Sequence, residues 1–110
     1  IHMKKIKLLL LISMIVGASS LVSERFTETQ SFLWREFHGI ECIAFAVHFF
    51  ATLWLVFTSR KSNLLLTLTG TSLIQLLTNP WEDMYPWSMV HNVSVLLSFI
   101  FTTVVFFRSK

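Results

Sequence analysis

The chain has 110 residues, 54% of them hydrophobic and 14% charged, with 11 Phe and a formal net charge of +3. A mean hydropathy of +0.65 excludes an ordinary water-soluble globule. The net charge calls for no nucleic-acid partner, because it arises from short clusters beside apolar runs, where it sets topology and meets anionic lipid. One domain is expected, since this length accommodates four membrane crossings of about 17 to 20 residues joined by short loops.

Ile1-His2 reads as a remnant of expression ahead of the initiator Met3, which sets His2 aside. The first helix is expected over residues 6–22. Lys4, Lys5 and Lys7 precede it, and Gly17-Ala18-Ser19-Ser20 gives it the look of a secretory signal, here read as an uncleaved crossing. A polar and aromatic loop is expected over 23–37. The second helix, 38–57, closes at Thr58-Ser59-Arg60-Lys61. The third, 63–79, is short and Thr-rich, and Pro80 stops it because proline has no N–H to donate. The fourth, 88–107, follows the turn-like stretch 80–87 and ends at Arg108-Ser109-Lys110. The single cysteine, Cys42, excludes a disulfide framework and a Cys-based metal motif, and reads as a packing residue.

If four helices alternate in direction, Lys4, Lys5, Lys7, Arg60, Lys61, Arg108 and Lys110 gather at one end. Glu24, Glu28, Glu36, Glu41, Glu82 and Asp83 gather at the other, with only Arg25 and Arg35. The positive-inside rule then places both termini in the cytoplasm, and a bacterial cytoplasmic (inner) membrane is the expected location. Trp34, Trp81, Tyr85 and Trp87 fall on the outer side as an interfacial aromatic belt. The expected fold class is an all-α integral membrane protein, an antiparallel up-down-up-down bundle of four transmembrane helices.

Each expected helix carries one polar or small stripe at three- and four-residue spacing: Ser13, Gly17 and Ser20; His38, Glu41, Phe45, His48 and Thr52; Thr67, Thr71, Gln75 and Thr78; His91, Ser94, Ser98 and Thr102. Lipid offers no hydrogen bonds, so the stripes turn inward, where small residues also serve as ordinary packing surfaces. Ionisable groups inside a membrane segment are costly and therefore mark candidate function. Glu41 and His91 lie the same number of residues from the helix ends at Phe57 and Phe107, with His38 one turn higher.

Trp-x-x-x-His occurs twice, as Trp34…His38 and Trp87…His91, each time where a polar stretch enters an apolar run. The second and fourth helices of such a bundle are diagonal neighbours, so His38 and His91 face each other as candidate axial ligands of a haem b iron, with Gln75 reaching the same level. The leading expectation is a small haem protein that transfers electrons near the outer face. In outline the arrangement resembles four-helix membrane cytochromes b, without a family signature along the chain. Three native histidines exclude two bis-His haems.

A second expectation is a divalent metal-binding or transport protein using His38, Glu41 and His91, with His48 as a deeper alternative. A third is a non-enzymatic interaction, anchor or immunity-type protein with a membrane-protein partner or a second copy of itself, in which Phe26, Phe32, Leu33, Trp34 and Phe37 lie as a short amphipathic segment on the surface and meet another protein or lipid headgroups. The chain has no His-Glu-x-x-His helix, no Gly-x-Ser-x-Gly turn and no nucleotide-binding glycine loop, so a hydrolase is not expected. Asn92-Val93-Ser94 matches a glycosylation acceptor only by coincidence, inside a helix.

Overall fold

The computed structural model describes residues 2–28, 31–58, 62–81 and 84–108, with side chains from Lys4 onward. It contains α1 (His2–Arg25), α2 (Phe32–Thr58), α3 (Asn63–Thr78) and α4 (Trp87–Arg108), with a 3₁₀ turn, Asn79–Trp81, after α3. Four helices form an all-α bundle. Arg60, Lys61, Lys110, Glu82 and Asp83, which entered the charge pattern, lie outside the described residues.

The starts of the helices follow from local chemistry. Ser31 Oγ accepts from the Trp34 N–H at 3.2 Å at the head of α2. Ser62, in extended backbone, accepts from the Leu65 N–H at 3.2 Å and caps α3. Pro80 falls in the 3₁₀ turn that ends the α3 segment, as a residue without an N–H requires.

The expected loop over 23–37 is corrected to a short link, because α1 runs on to Arg25 and α2 begins at Phe32. The polar residues there do not break the helices. Glu24 instead continues the inward stripe Ser13, Gly17, Ser20 at the same three- and four-residue spacing, while Arg35 and Glu36 stay exposed.

Packing runs around a ring, α1 against α2, α2 against α3, α3 against α4 and α4 back against α1, which leaves α2 and α4 on a diagonal. The molecule measures 42 × 25 × 19 Å, long enough to pass through a hydrocarbon layer of about 30 Å. Three helices, α1, α2 and α4, are long and apolar enough to cross a membrane. The 16-residue α3 reaches only about 24 Å and is extended by its 3₁₀ turn.

Side chains are arranged inside out relative to a soluble bundle. Large apolar groups such as Ile43, Phe50, Phe57 and Leu96 face outward, while Glu41, His48, Gln75, His91, Ser98 and Thr102 are fully buried. Such a surface is stable against lipid, and the buried polar groups hydrogen-bond to one another because lipid cannot serve them. This is an integral membrane protein. Toward the lysine-bearing end, Leu10, Leu55, Leu68 and Val105 close the axis with an apolar layer.

Gly17 allows the tightest helix approach. A Cβ placed there would lie 2.7 Å from Phe45 Cδ1, and Phe45 is itself fully buried and edge-on to His91 at 5.8 Å between ring centroids. Gly17→Val is expected to destabilise the bundle by about 1–3 kcal/mol through overpacking. Thermal unfolding in detergent checks this, and a variant as stable as the parent would show that α1 and α2 separate freely.

Candidate functional site

The buried ionisable groups gather at the end of the bundle opposite the lysines. α1 supplies Glu24 from its last turn, α2 supplies His38 and Glu41 one turn apart, α4 supplies His91 and α3 supplies Thr78. His38 Nδ1 lies 2.9 Å from Glu24 Oε1, and His91 Nε2 lies 3.0 Å from Glu41 Oε2. One ligand atom from each of Glu24, His38 and Glu41 falls within 4.8 Å of the others. Glu24 is 1% exposed, Glu41 and His91 are 0% exposed, and His38 is 27% exposed, so His38 is where the cluster reaches the surface.

Hydrogen-bond bookkeeping constrains the Glu41–His91 pair. Thr78 spends its one hydroxyl proton on the Ile74 carbonyl at 2.7 Å, so at 2.9 Å it accepts from His91 Nδ1–H. One further proton therefore lies between His91 Nε2 and Glu41, either on an imidazolium facing a carboxylate or on a carboxyl facing a neutral ring. On the other side of the cluster, Glu24 Oε2 is buried with no hydrogen-bond partner among the described residues. If both Glu24 and Glu41 were ionised within 4.8 Å of each other, their repulsion would be at least about 3.5 kcal/mol at an effective dielectric constant of about 20. A proton or a cation between them removes that cost.

The walls are aromatic and polar. The Trp34 ring stacks on His38, 5.1 Å between centroids and 6° from parallel, and fixes the imidazole plane. Arg25 donates to Asn92 Oδ1 at 3.1 Å and ties α1 to α4 beside the cluster. Asn79 donates to Cys42 Sγ at 2.6 Å, so the cysteine is engaged as an acceptor as well as packed.

The sequence-selected residues divide into two tiers. His38, Glu41 and His91 belong to the upper cluster, where each ring is held by a carboxylate, His38 by Glu24 and His91 by Glu41. Gln75 and His48 form a deeper tier. Gln75 Nε2 lies 3.3 Å and Ser72 Oγ 3.1 Å from His48 Nδ1, which makes that nitrogen an acceptor and lets His48 Nε2–H donate to Thr102 Oγ1 at 2.8 Å. The repeated Trp-x-x-x-His is not a structural repeat, since Trp87 packs against Trp81, 6.0 Å between centroids.

Sequence reasoning missed Glu24, which it assigned to an outer loop. The signal was present, because Glu24 is the next position of the α1 stripe after Ser20.

Fold and site together define a membrane-embedded four-helix bundle with a buried histidine–carboxylate cluster near one end. Comparison with protein-family models, with curated proteins and with solved structures produced no match.

Proposed function

We propose that the protein binds one divalent transition-metal ion through Glu24, His38 and Glu41, with His91 holding Glu41 from behind. The observation that carries this reading is three ligand atoms within 4.8 Å of one another, together with a buried Glu24 Oε2 that has no hydrogen-bond partner among the described residues. Mixed imidazole and carboxylate donors suit zinc and similar ions, and three protein ligands leave a position open. Tetrahedral ligands at 2.0–2.1 Å sit about 3.3 Å apart, so binding requires side-chain rotation rather than helix movement. The cation would cancel the carboxylate repulsion that otherwise has to be relieved by protons.

His91 then plays the part of an outer partner that orients a ligating carboxylate. Entry of the ion is past His38, the partly exposed member, beneath the Trp34 ring. With the lysine-bearing end in the cytoplasm, the site opens toward the outer face of a bacterial inner membrane. Electron transfer through haem b is the competing use of the same histidines. It would cost His91 at least one contact, because both its ring nitrogens are engaged.

The test is cobalt loading of detergent-purified, chelator-stripped protein, followed by visible spectroscopy and native mass spectrometry. The expected result is one Co²⁺ per chain with d–d bands of a low-coordinate N/O site, displaced by Zn²⁺. Absence of both bands and bound ion in folded protein would overturn the metal reading. A Soret band in protein from haem-supplemented cells would put haem in its place.

A further inference from the structure

At the end of the bundle opposite the His/Glu cluster, a cleft of about 400 Å³ lies between α1 and the last turns of α4, lined by Lys4, Lys7, Leu8, Phe106 and Phe107. Its volume is within the range of small-ligand sites, roughly 300–1,000 Å³. Lys4 and Lys7 are three residues apart on α1, so they share a helix face, and both line the cleft. The described acids, Glu24, Glu28, Glu36 and Glu41, are all at the other end of the molecule, so none of them neutralises this pair. The opposite wall is aromatic, with Phe106 and Phe107 in perpendicular contact, 5.1 Å between centroids. Below the cleft runs the α1–α4 seam, the most sparsely packed of the four sides of the ring.

We propose that this cleft binds an anionic phospholipid, the two lysines taking the headgroup phosphate and an acyl chain following the α1–α4 seam. Charge complementarity selects the occupant: a paired cationic rim above an apolar floor matches a molecule that is anionic at one end and hydrocarbon at the other. A zwitterionic lipid satisfies the seam but leaves the lysine pair with weaker attraction. A free phosphate satisfies the lysines and leaves the phenylalanine wall uncovered. The lipid bridges α1 and α4 at this end, as the Arg25–Asn92 hydrogen bond bridges them at the other.

The probe is a vesicle of equal parts phosphatidylglycerol and phosphatidylcholine, from which the full chain is released for native mass spectrometry. A lysine held against the headgroup phosphate is expected to contribute about fivefold to the retention of anionic lipid, so Lys4→Gln/Lys7→Gln is expected to lower retained phosphatidylglycerol about 25-fold, and Lys7→Gln alone about fivefold. Lys5→Gln carries the same change in net charge at an exposed position outside the cleft lining and is expected to retain the lipid like the parent. An equal loss in Lys5→Gln would overturn the proposal in favour of diffuse surface charge. Equal retention of phosphatidylcholine would also overturn it, as would displacement of phosphatidylglycerol by millimolar inorganic phosphate. The measurement is made on metal-free protein, so its outcome is independent of the His/Glu site.

Discussion

His91→Ala is expected to destabilise the bundle by about 3–5 kcal/mol, the largest single effect in the molecule. The imidazole is fully buried, and its removal leaves Glu41, also fully buried, without the ring at 3.0 Å that shares its proton. In the imidazolium–carboxylate form, breaking the buried pair from one side costs this much because the remaining charge keeps its desolvation penalty and loses the ring that compensated it. Thr78 loses its His91 contact as well. Replacing both members, as Glu41→Leu/His91→Leu, is expected to be less damaging than His91→Ala, because an apolar pair removes the charge along with the partner. Reversible unfolding in mixed micelles provides both numbers. A His91→Ala variant within 1 kcal/mol of the parent would mean that water or the neighbouring carboxyl already serves Glu41.

Glu24→Gln is expected to weaken divalent-metal binding at least 100-fold while the chain stays folded. Loss of an outer partner of a ligand typically costs 10- to 100-fold in affinity, and loss of a ligand costs no less. The substitution keeps the side-chain volume and one acceptor oxygen for His38, so the 2.9 Å contact can persist while the negative charge is lost. Glu28→Gln is the control. Glu28 lies four residues further along in the exposed link after α1 and is expected to bind metal like the parent. Titration with Co²⁺ or Zn²⁺ compares them, and equal affinity for parent and Glu24→Gln would remove Glu24 from the ligand set.

How far the site was readable depends on which physical rule each residue obeys. The stripes of α2 and α4 were readable because 3.6 residues per turn lines up Glu41, Phe45, His48 and Thr52 on one helix and His91, Ser94, Ser98 and Thr102 on the other, and all eight are buried. Counting equal distances from Phe57 and Phe107 placed Glu41 and His91 at one level, and in the bundle they touch. On α3 the expected stripe holds at Gln75 and Thr78, which are buried, and slips by one residue in the other half of the helix, where Leu68 and Ser72 are buried while Thr67 is exposed and Thr71 half-buried. In a Thr-rich helix the polar pattern is nearly the same on two faces. Thr67 satisfies itself by bonding back to the Asn63 carbonyl and so tolerates an outer position, whereas Thr71 bonds back to the Leu68 carbonyl and also accepts from Ser98 Oγ at 2.9 Å, which keeps it at the α3–α4 seam.

The sequence by itself determined the membrane class, the four-helix ring and the inward faces of α2 and α4, because hydropathy and helical periodicity are local properties that need no partner to be expressed. Only the tertiary structure decided which ionisable groups meet. Glu24 reads as a loop acid until α1 continues past Val22 and rotates it toward α2, and Gln75 reads as an upper-tier residue until α3 packs it against His48. The pairings Glu24–His38 and Glu41–His91 join residues 14 and 50 positions apart. Their choice depends on the relative height and rotation of whole helices, which close packing at positions such as Gly17 against Phe45 establishes and which no local pattern encodes.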